Sequence, residues 1–98
     1  MTATTDFIAE LYRAANEVKK ITPFETRRLI ERAVATIRDL REQVIAAAPV
    51  GPTDVLEEIE AVGRNIAIEP DQLVAHAVLE AADMIRTLKT MQNEQRKA

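Results

Sequence analysis

Cysteine, tryptophan and serine are absent from this chain of 98 residues, and its only aromatic side chains are Phe7, Tyr12 and Phe24. Without cysteine there is no disulfide, thiolate zinc site, iron–sulfur cluster or thiol nucleophile. Without serine there is no serine nucleophile. Two glycines, Gly51 and Gly63, are too few for a phosphate-cradling loop. The one histidine, His76, can build neither a two-histidine zinc helix nor the paired Glu-x-x-His motifs of a di-iron bundle. Leu73 stands where that glutamate would have to be. No stretch approaches the roughly 18 apolar residues of a membrane span. The start, Met1 to Asp6, lacks the basic and apolar segments of a secretory signal. These absences predict a soluble cytoplasmic protein with no catalytic centre, metal or cofactor.

What the chain does contain is aliphatic. Hydrophobic residues make up 47% of it, nearly all Ala, Ile, Leu, Val and Met. Aromatic rings bring the largest burial per residue, so a core almost free of them is shallow and suits close helix–helix contact. The apolar residues recur in sevens. Ile30, Ile37 and Val44 repeat with Ala33, Leu40 and Ala47 three places after each, and Val74, Ala81 and Leu88 repeat with Ala77, Met84 and Met91. That period of 3.5 keeps one edge of a helix against a neighbour.

Four helices are expected. The first runs from Asp6 to Lys20, with Thr5 as cap and Phe7, Leu11, Ala14 or Ala15, and Val18 on one face. The second runs from Pro23 to Ala48. It opens on a capping box, Thr22-Pro23-Phe24-Glu25, and is stopped by Pro49 ahead of a Val50-Gly51-Pro52 connector. A short third helix starts at Thr53 or Asp54, and Gly63 is read as its left-handed terminating residue. Residues 64–69 read as an extended linker that tucks Ile66 and Ile68 inward. The fourth helix opens at Pro70 and reaches Gln95. The fold class is therefore all-α: a single domain over residues 1–98, with flexible ends at 1–5 and 93–98. It is a small bundle of three to four helices dominated by an antiparallel pair of long amphipathic helices, the second and fourth. The apolar stripe on the fourth helix is wide, so dimerisation is expected to complete the bundle. The expected interface is Val74, Ala77, Val78, Ala81, Met84, Ile85, Leu88 and Met91, with methionine suited to an irregular partner.

The net charge of −3 hides an asymmetry, for residues 1–48 hold eight bases and seven acids while residues 49–98 hold five and nine. Arg27 and Arg28, with Arg38 and Arg41, are expected to set register against acids that include Glu57 and Glu58. The leading functional expectation is a non-enzymatic helical interaction module, a regulator, adaptor or assembly factor. Its partner would be a second copy, another protein, or both. The alternative is a small dimeric DNA-binding regulator. A helix-turn-helix, however, presents basic residues on its second helix, where this chain has Pro70, Asp71 and an apolar face. The overall acidity also works against phosphate contact.

Overall fold

A computed structural model describes residues 3–44 and 53–97 of the chain, and no strand occurs among them. The expectation of an all-helical fold holds. The elements are α1 (Ala3–Asn16), a 3-10 turn (Val18–Lys20), α2 (Pro23–Gln43), α3 (Thr53–Arg64) and α4 (Asp71–Lys97).

Helix α1 begins earlier than Asp6 and stops short of Lys20. The Glu17 amide is shared between the carbonyls of Arg13 and Ala14 at 3.0 and 3.2 Å, and this tightens the chain into the 3-10 turn. Ile21 is extended, and α2 then starts where its capping box says it should. Thr22 Oγ1 accepts from the Glu25 amide at 3.1 Å, and buried Thr26 donates its hydroxyl to the Thr22 carbonyl at 3.1 Å. Helix α2 ends at Gln43 rather than Ala48. Its C-cap, Val44, is β-branched and extended, and its amide still closes on the Leu40 carbonyl. Ala47, Pro49 and the Val50-Gly51-Pro52 connector lie outside the described residues.

Two local expectations are corrected between α3 and α4. Gly63 lies inside α3, buried, and does not terminate it. A Cβ there would sit 2.9 Å from Cγ2 of Ile30, so glycine lets α3 approach α2. Residues 65–69 are also not extended. The Asn65 amide continues the helical ladder to Ala61, and the amides of Ile68 and Glu69 return to the Asn65 carbonyl at 3.0 and 3.1 Å, closing a compact turn. That turn places Ile66 half-buried on the core but leaves Ile68 81% exposed. At the other end, α4 runs to Lys97, two residues beyond the Gln95 end read from the sequence. Polar bonding anchors the turn before residue 93. Lys89 Nζ donates to Gln92 Oε1 at 3.0 Å, and buried Gln92 donates to Gln43 on α2.

Helix α4 is the spine of the bundle, since α1, α2 and α3 all pack on it, while α1 barely meets α2. Successive helices reverse direction. Arg32 on α2 reaches Glu10 on α1, Arg38 on α2 pairs with Glu60 on α3, and Tyr12 on α1 meets Asp83 on α4. Two reversals separate α2 from α4, so these two long helices run parallel. Gln43 meets Gln92 at their C-terminal ends, and Pro23 and Thr26 share a pocket with Asp71 and Val74 at their N-terminal ends. The expected antiparallel pair is corrected on that ground: α3 itself carries the chain back between them. The body is flattened, measuring 44 × 29 × 16 Å.

Candidate interaction groove

The α4 seam is not a free face. Val74, Ala77, Val78, Ala81, Ile85 and Leu88 are all buried in the chain's own core, and Met84 and Met91 pack half-buried against it. The sequence shows how wide the stripe is. It does not show that three helices of the same chain cover it, with Phe7, Leu11 and Ala14 from α1, Ile30, Ile37 and Leu40 from α2, and Leu56 and Ile59 from α3.

The predicted charge register is also rearranged. Arg27 pairs along its own helix with Glu31 at 3.3 Å, and Arg28 lies 5.8 Å from the ring centre of Phe24. Glu57 and Glu58 are exposed on α3, and neither arginine reaches them. Of the expected α2–α3 pairs, Arg38 holds Glu60, which Arg64 also approaches at 4.0 Å. Arg41 Nε and Nη2 are buried without a hydrogen-bond partner among the described residues. His76 is exposed on α4 and sits 2.5 Å from Glu80, one turn on. Among the described residues no group of three or more His, Cys, Asp or Glu is placed to hold a metal. No helix among them is long and apolar enough to cross a membrane.

The separation of α1 from α2 leaves an open groove of about 1000 Å³. Ala14, Ile21 and Leu29 give it an apolar lining, and Phe24 stands at its edge, 66% exposed. A clasp closes one end. Arg32 stacks 4.1 Å from the ring centre of buried Phe7 and lies 3.8 Å from Glu10, tying α2 to α1 through one guanidinium. Eight charged side chains line the groove, four arginines and four glutamates. Four are spoken for: Glu10 with Arg32, and Arg27 with Glu31. The other four, Arg13 on α1, Glu17 just past its end, and Glu25 and Arg28 on α2, make no ion pair among the described residues.

Across the bundle α1 is fixed to α4 by another polar contact. The Tyr12 hydroxyl donates to Asp83 Oδ1 at 2.6 Å, with Arg86 3.7 Å from the same oxygen. Donation to Asp83 raises the Tyr12 pKa above its ordinary 10.0, with burial and the Asp83 charge adding to the effect. α1 is therefore held on α4 along its length while its α2 side stays open.

Phe24 is the feature that a reading of the heptads passes over. It belongs to the capping box, and it lies off the stripe that buries Thr26, Ile30, Ala33 and Ile37. A large apolar residue out of phase with its own helix's stripe was the available signal. No protein-family model matches this chain, and comparison with curated proteins and with solved structures returns no match.

Proposed function

We propose that this chain is a non-enzymatic protein-interaction module, a small cytoplasmic regulator, adaptor or assembly factor that works through helix–helix contact. The groove between α1 and α2 is the docking surface, in place of the α4 seam. One observation carries the reading: an open trough between two helices, apolar at Ala14, Ile21 and Leu29 and charged around them, with an exposed phenylalanine on its edge. Phenylalanine held 66% in water has burial still to gain, and aromatic anchors of this kind dominate interface energetics. The mixed charges on the rim suit the flanks of an amphipathic partner helix. They offer duplex DNA little attraction, because arginines and glutamates are equal in number.

Site-specific photo-crosslinking tests the proposal. A benzophenone side chain at position 24 is expected to capture protein on illumination in cells, while the same group at exposed Glu58 on α3 captures none. Absence of any protein adduct at position 24 would refute the reading. Binding to duplex that falls steeply as salt rises would replace it with the nucleic-acid alternative.

A further inference from the structure

The interaction reading leaves open what fills the groove, and the following inference rests on that reading. The charge layout of the groove points to its occupant. The Glu10–Arg32 clasp sets a common origin for the two walls, which run antiparallel away from it. One turn from the clasp stand Arg13 on α1 and Arg28 on α2. At about twice that distance stand Glu17, just past the end of α1, and Glu25 on α2. The four unpaired charges therefore form two layers across the groove, a basic one nearer the clasp and an acidic one nearer the mouth.

A two-fold axis between those layers reverses their order. It sets the basic layer of one molecule against the acidic layer of another, and the reverse, so all four charges find opposite partners at once. An isologous contact demands such self-complementarity, because one patch must fit its own copy. A groove made to take a foreign helix has no need of it. The apolar parts obey the same operation. Phe24 at the mouth is carried toward the clasp-side half of the second copy's groove, where Ala14 and Leu29 supply the apolar wall. We propose that the α1–α2 groove is a homodimer interface: two copies meet about a two-fold axis, exchange Phe24 into each other's grooves, and pair Arg13 and Arg28 with the second copy's Glu17 and Glu25. The dimer expected from the sequence is thus assigned to a different surface from the α4 seam.

Sedimentation equilibrium of the full chain tests this, with circular dichroism confirming that each variant keeps its helix content. The wild type is expected to weigh twice the 10.9 kDa of one chain. Phe24→Ala removes both exchanged anchors and should weaken self-association roughly a thousand-fold, about thirty-fold for each. Glu17→Arg and Arg13→Glu should each weaken it, and the two together should restore it, because each reversed charge then meets a reversed partner. A single-chain mass up to millimolar concentration would overturn the proposal. So would a dimer indifferent to Phe24→Ala, or a double charge reversal no better than its singles. The photo-crosslink at position 24 separates this failure from that of the interaction reading. An adduct of twice the chain mass fits the dimer. An adduct with another protein from a chain that stays monomeric removes the dimer and leaves the interaction module standing.

Discussion

Replacing Gly63 with alanine tests how α3 is seated on α2. The residue lies inside a helix, so on propensity alone alanine should stabilise by about 1 kcal/mol. The neighbour opposes this. The new Cβ would meet Ile30 Cγ2 at 2.9 Å, closer than two carbons pack. Ile30 is β-branched and only 1% exposed, so close packing resists its moving aside. Overpacking of this kind costs about 1–3 kcal/mol. The net expectation is a loss of about 1 kcal/mol. In urea this reads as a midpoint lower by about 1 M at an unchanged slope. A cycle with Ile30 isolates the cause. Ile30→Ala removes Cγ2, at its own cost of about 3 kcal/mol, and in that background Gly63→Ala should turn stabilising by about 1 kcal/mol. The coupling is then about 2 kcal/mol. Ile30→Val removes only the terminal methyl and keeps Cγ2, so the clash should persist in that background. If Gly63→Ala costs the same whichever residue stands at position 30, the close approach is not the reason for glycine. A left-handed helix terminus would behave that way.

Three further outcomes follow from the packing. Tyr12 is the only tyrosine, so phenolate absorbance reports it alone; with its folded pKa raised, its stabilising contribution is complete below pH 10.0, is lost as pH climbs through the folded value, and disappears in Tyr12→Phe. A wild type and Tyr12→Phe variant that lose stability in parallel under alkali would contradict this. Thr22→Ala removes the oxygen that receives the Glu25 amide and should cost about 1 kcal/mol in thermal or urea unfolding, with Thr22→Gly costing less. Ile85→Ala empties a fully buried site on α4 and should cost about 2–5 kcal/mol, independent of protein concentration because the chain's own helices cover it; a concentration-dependent penalty would return Ile85 to an interface.

Local chemistry made the helices legible. Thr22, Pro23 and Glu25 fixed the start of α2 to the residue, because a cap needs only near neighbours. The repeats at Ile30 and Ile37, and at Val74, Ala81 and Leu88, named residues that are buried. Periodicity tells which edge of a helix is covered and is silent on what covers it, so the same stripe suggested a second molecule where α1, α2 and α3 suffice. The relative direction of α2 and α4 was available from counting the intervening helix, and heptad spacing carries no such information. Gly63 misled because glycine serves both turns and close approach, and only the position of Ile30 distinguishes them. Ile66 and Ile68 alternate like a strand, yet the Asn65 carbonyl gathers two amides and turns the chain, leaving one isoleucine in and one out. Phe24 was hidden inside a capping signal that accounts for its neighbours but not for its ring.

The ribosome delivers the spine of this bundle only after α1, α2 and α3. Three amphipathic segments emerge before the element that shelters their greasy sides, and the bond from Tyr12 to Asp83 spans 71 positions of chain. Until α4 arrives, the nascent polypeptide has no arrangement that hides all three, and such intermediates are vulnerable to aggregation and to chaperone capture. Loss of α4 would therefore be felt as failure to fold at all, whereas loss of α1 would leave α2, α3 and α4 still resting on one another.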